Sequence, residues 1–170
     1  MYIRCAIAVF FVGLLSLNLQ AQNSVTLNVN LYPIQTLMVN PSQQEVNLNY
    51  ITKDDYKNGV VSEQTDHLAI YSTSGYQVKV SGIKEVSSEI IPLNSIKISA
   101  SSNIHQPNVI YSERNVSEKE QVIIASNKGC INQKFNIAYK GAGENVYINY
   151  SKPAATANYH YNILYTIVSQ

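Results

Sequence analysis

The chain has 170 residues, a formal net charge of +1 and only 14% charged residues, against about 25% in an average globular protein. That balance draws the chain neither to phosphate backbones nor to anionic lipid, which argues against nucleic-acid partners. Asn, Ser, Thr and thirteen tyrosines fill the polar positions while Trp is absent, a composition common in exported β proteins.

The first residues read as a secretory signal: Arg4 forms a basic start, residues 5–17 an apolar run, and Leu19-Gln20-Ala21 a cleavage site before Gln22. The run is shorter than the about 20 apolar residues a bilayer span needs, and no second long run follows, so no membrane span is expected after cleavage. Residues 1–21 are the expected signal peptide. Residues 22–170 are then one exported domain of the periplasm, cell surface or medium, long enough for one good core. Cys5 leaves with the signal, which leaves Cys130 to pack as a small hydrophobe or to join two chains.

After the cut, Val25, Leu27, Val29 and Leu31 share one face, with Thr26, Asn28 and Asn30 opposite, and this alternation predicts a strand over residues 24–33. Burying those four side chains is worth ~6–12 kcal/mol before chain entropy, so the strand is expected to find a groove in its own domain or a neighbour's. Val46, Leu48 and Tyr50 repeat the pattern after the turn residues Asn40, Pro41 and Ser42. The polar stretch TKDDYKNG reads as a turn-rich loop leading to Leu68 and Ile70. Ser74-Gly75 then predicts a tight hairpin into Tyr76, Val78 and Val80.

Further on, Ile96, Ile98 and Ala100 alternate, residues 109–111 and 122–125 are short apolar pieces, and Phe135, Ile137 and Tyr139 alternate before Gly141-Ala142-Gly143. Ser117 and Glu120 have capping-box spacing, but residues 117–121 read as a charged loop. In the closing NYHYNILYTIVSQ, residues Tyr159, Tyr161, Ile163, Tyr165 and Ile167 share one face. Leu164 and Val168 on the other face predict cover on both sides and a central place in a sheet. Strands of about five residues separated by turn formers point to an all-β, immunoglobulin-like antiparallel sandwich of about seven to nine strands with Greek-key connections, a closed barrel being the alternative.

Chemistry-bearing motifs are sparse. The three histidines, His67, His105 and His160, lie in different segments, and no zinc-protease, nucleophile-elbow, phosphate-loop or paired-cysteine pattern is present, so the chain is expected to be noncatalytic and without cofactor or metal. Residues 54–59 share the start of a calcium loop, but Tyr56 stands at the third ligand position and Thr65 where the closing Glu belongs. Glu63, Asp66 and His67 read as solvated polar residues, since neighbours on a strand point to opposite faces. Tyr147, Tyr150 and Tyr159, with Tyr161, are candidates for a sugar-stacking platform, which would make the protein a glycan or peptidoglycan binding module. The competing account is that tyrosine suits half-buried strand positions.

With SVTLNVNLYPIQTL near its start, VNLNY soon after and AATANYHYNILYTIV at its end, the chain resembles chaperone-usher pilins of the colonisation-factor type and related bacterial fimbrial-like surface proteins. The resemblance covers about a third of the expected mature chain. It implies a sandwich lacking one strand, whose groove is filled by an N-terminal extension from the next subunit. It also implies that residues 22–33 are a donor strand, inserting Val25, Leu27, Val29 and Leu31. Tyr161, Ile163, Tyr165 and Ile167 would line the accepting last strand, which in that family also pairs with a periplasmic chaperone. The implied partners are other protein subunits or that chaperone. Two features depart from the family: position 169 is Ser169 where an aromatic residue is usual, and no glycine heads the last strand.

Overall fold

The computed structural model describes residues 23–84, 91–151 and 157–170. The expected signal peptide and its cleavage site lie outside the described residues. The chain divides between Leu31 and Tyr32. Among the described residues no helix is long and apolar enough to cross a membrane.

Residues 32–170 form two antiparallel sheets. The strands are β1 (Gln35–Val39), β2 (Val61–Ser72), β3 (Tyr76–Lys84), β4 (Lys97–Ser101), β5 (Val109–Tyr111), β6 (Arg114–Asn115), β7 (Gln121–Ser126), β8 (Cys130–Lys140) and β9 (Tyr161–Ser169). One sheet has the order β1-β2-β8-β4-β6, the other β5-β7-β3-β9. The all-β sandwich expected from the period-two patterning is therefore the observed architecture. Leu68, Ile70, Ile98, Phe135 and Ile137 from the first sheet meet Tyr76, Val78, Ile123 and Ile124 from the second, all fully buried. Each such side chain contributes ~1.5–3 kcal/mol of transfer free energy.

The hairpin expected through Ser74-Gly75 is not formed, because β2 and β3 belong to different sheets. Ser72 Oγ donates to Ser74 O at 2.7 Å, and Thr73 N donates to Ile34 O at 3.0 Å. The backbone at this corner is thus tied to β1's leading residue, and the chain steps across to the facing sheet. Alternation looks the same whether the inward residues of two strands share one sheet face or oppose each other across the core.

The stretch expected to be a turn contains a short helix, α1 (Lys53–Asn58). Thr52 caps it: its Oγ1 accepts from Asp55 N while the Asp55 carboxylate accepts from Thr52 N at 2.7 Å, a capping box. Gly59 ends it with φ +84°, where a Cβ would stand 2.5 Å from Gly141 O. Only glycine tolerates both the left-handed backbone and that approach. Residues 141–145 consequently lie on the end of α1, with Glu144 N donating to Lys57 O and Asn145 N to Tyr56 O, each at 2.8 Å.

Candidate functional site

The strand expected over residues 24–33 is absent: residues 23–34 carry no ladder, and the first strand starts at Gln35. Val25, Leu27, Val29 and Leu31 are 93%, 84%, 71% and 88% exposed. Alternation supplies an apolar face, but a strand also needs a neighbour to take its N–H and C=O groups. Among the described residues only Ile34, beyond the expected strand, has such partners, both supplied by Thr73.

The last strand corrects a second expectation. β9 pairs with β3 along its whole length, from Tyr76↔Ser169 to Lys84↔Tyr161, and its other edge has no ladder partner among the described residues. It is an edge strand. Its inward residues show what that means for cover: Ile167 and Tyr165 stand beside Val78 and Val80 of β3. The β3 residues are buried, whereas Tyr161, Ile163, Tyr165 and Ile167 are only partly so, though packed on the same core. The first sheet behaves alike. Leu37 and Val39 of β1 pair with fully buried Ile70 and Leu68 of β2 and are themselves half-covered.

These two under-covered margins face each other. At one end, Gly75 O accepts from both Gln35 Nε2 at 3.4 Å and Gln170 N at 3.1 Å, which joins the start of β1 to the end of β9. At the other end a run of rings connects Tyr50 to Tyr147, Tyr150 and Tyr159, with centroids 5.0, 6.4 and 6.2 Å apart. Residues 35–50 and β9 therefore run side by side in opposite directions, and β1 and β9 approach within 8 Å between Cα atoms without pairing. The strand expected around Val46, Leu48 and Tyr50 forms no ladder, yet these three side chains turn inward in alternation, and Val46 and Leu48 pack on the core. Two stretches, β9 and residues 35–50 with a 3-10 turn at Pro41–Gln43, thus flank one apolar seam with no ladder between them among the described residues.

A polar chain crosses the core beneath this seam. His67, 2% exposed, places Nδ1 3.0 Å from Gln43 Oε1 and Nε2 2.8 Å from the Tyr139 hydroxyl, which lies 2.6 Å from the Tyr165 hydroxyl on β9. Burial holds the His67 imidazole below its ordinary pKa. Burial likewise pushes the Tyr139 phenol up to about 12 and raises Tyr165 further. The expectation of a solvated His67 fails because of a bulge: the β2–β8 register shifts between Gln64 and Leu68, and Asp66 takes φ +54° with its N–H bonded to Asn136 Oδ1. The extra residue turns His67 inward together with Leu68. Nothing in the local pattern foretold this, although an Asp or Asn tolerates the left-handed backbone better than most residues. Asp66 itself reaches outward to Lys134 at 2.9 Å.

The tyrosines proposed as a platform do come together. Tyr147 is buried, with its hydroxyl 2.5 Å from Ser95 Oγ, and Tyr159 donates to Tyr150 O at 2.7 Å. The Tyr147–Tyr150 and Tyr150–Tyr159 planes meet at 81° and 85°. Rings packed edge to face present no common flat surface to a sugar. Tyr50 and Tyr56, outside the expected platform, extend the same cluster, since the contacts depend on α1 and residues 141–145. No group of three or more metal-ligating side chains occurs among the described residues. No protein-family model matches the chain, and no curated protein matches it in sequence.

Proposed function

We propose that this protein is a noncatalytic, exported, fimbrial-like structural or adhesive subunit that assembles by β-strand addition, the donor being residues 22–33 of a second copy. One observation carries the reading: β9, nine residues long and apolar on its inward face, has an edge unpaired among the described residues over a partly covered core. Sheets in stable monomers blunt such edges with charge, bulges or covering loops. A strand laid along β9 gains main-chain hydrogen bonds, while every second side chain enters the seam. The same chain carries a segment of matching period whose valines and leucines lie in water.

The test uses a synthetic peptide of residues 22–33 and the chain with Val25, Leu27, Val29 and Leu31 changed to serine. The natural chain is expected to form oligomers in light scattering. The serine variant is expected to stay folded and monomeric, to bind the peptide, and to gain ~2.7 kcal/mol of stability at a hundredfold excess over Kd. A natural chain that remains monomeric at high concentration, together with a variant that ignores the peptide, would defeat the proposal.

A further inference from the structure

The buried hydrogen-bond chain beneath the seam has one direction. Gln43 Nε2 donates to Thr65 O at 2.9 Å, which turns Oε1 toward His67. Oε1 can only accept, so the network assigns the proton to Nδ1 and leaves Nε2 as an acceptor. Tyr139 must then donate to Nε2 at 2.8 Å, and its oxygen must accept from Tyr165 at 2.6 Å. The order is Tyr165 to Tyr139 to His67 to Gln43, and it ties β9 of one sheet to β8 and β2 of the other.

A second proton on His67 reverses this order. Nε2–H then donates to Tyr139, Tyr139 donates to Tyr165, and the Tyr165 hydrogen has to turn away from the core toward the seam. With the seam open, water accepts it. Under an apolar strand it finds no acceptor, and the imidazolium loses what solvation the seam allowed. Among the described residues no charge compensates. The hydroxyls of Tyr139 from β8 and Tyr165 from β9 face the ring, β1 contributes no titratable residue, Glu45 is exposed, and Asp66 is committed to Lys134.

We infer that the His67–Tyr139–Tyr165 chain makes strand capture at the β9 edge proton-linked, so that acid weakens it. The inference rests on the strand-addition reading above and names a regulation of that same site. Covering the seam favours neutral His67, so capture releases a proton, and affinity falls as pH drops through the range where free His67 titrates.

The probe is the residues 22–33 peptide, measured by fluorescence anisotropy against the full chain carrying the four serine substitutions. Affinity is expected to fall severalfold between about pH 7.5 and about pH 5, approaching about tenfold only below the bound-state midpoint of His67, the limit set by one further pKa unit of depression on covering. With His67→Gln added, the change is expected to be under about twofold. In parallel, the His67 imidazole is followed by NMR in the variant that keeps His67, and the peptide must lower its midpoint. A pH-independent affinity, an equal loss in the His67→Gln chain, or a midpoint unmoved by peptide overturns the inference while leaving strand capture standing. Absence of binding at every pH overturns both.

Discussion

The two lateral sides of the sandwich end in different ways. On the side of β5 and β6 the edge strands span three and two residues, and side chains occupy the backbone groups that remain: Arg114 Nε donates to Val122 O, Asn115 Nδ2 to Asn94 O and Gln121 Nε2 to Asn115 O. Val116 follows β6 with its N–H on Ile96 O and its side chain 1% exposed, which seals the core beside β6, while Val109 and Tyr111 of β5 are partly covered. On the side of β1 and β9, a five-residue and a nine-residue strand have outer edges unpaired among the described residues and inward residues partly covered. Among the described residues, short edges bound one side and long unpaired edges the other.

The largest expected effect comes from removing matched side chains on the two sides. Ile98→Ala, at a fully buried site on the sealed side, should cost ~2–5 kcal/mol in urea unfolding. Ile167→Ala on the open side should cost less than about 2 kcal/mol, because a partly exposed side chain loses less on truncation. Equal costs would mean that the two margins are equally covered.

Acid should separate the sides next. Folded His67 lies below its ordinary pKa of 6.5 through burial. Just below that pH the unfolded chain binds more protons, and stability falls as pH drops, by up to ~1.4 kcal/mol per unit, until the folded-state value is passed. Asp55 and Glu113 are held below their ordinary 3.8 and 4.5, chiefly by backbone hydrogen bonds at Asp55 and by Lys140 at Glu113. Their contributions are lost only below those values, so the loss that begins near pH 6.5 is that of His67. Urea unfolding across the histidine range should show the slope in the natural chain and its disappearance in His67→Gln.

The smallest effect belongs to the polar surface of the sealed side. Glu113 bridges Lys140 at 2.6 Å and Lys97 at 3.6 Å, with all three side chains well exposed. Glu113→Gln should change stability by no more than about 1 kcal/mol, and added salt should shrink the difference. A larger cost would show that this ion network, rather than Val116 and Ile98, closes the margin.

Much of the sandwich was legible in the residues. Leu68 and Ile70, Val78 and Val80, and Ile137 and Tyr139 alternate in the sequence and alternate in burial. The seam was half legible. Tyr161, Ile163, Tyr165 and Ile167 face the core from one side of β9 as their spacing implied, but the apolar Leu164 and Val168 opposite them argued for a central strand, and β9 is an edge. The clustering of Tyr50 and Tyr56 with Tyr147 was not legible, because it depends on α1 meeting residues far along the chain. Nor was His67, whose inward turn comes from one bulged residue.

The sequence by itself determined that the chain would make strands with one apolar face each, since a period of two is a local property of consecutive residues. Which strand lies beside which, that β2 and β3 part at Ser74-Gly75, and that β9 keeps an edge to itself were decided only in three dimensions. A ladder partner is supplied by residues distant in the chain, and so is the cover over a half-exposed face.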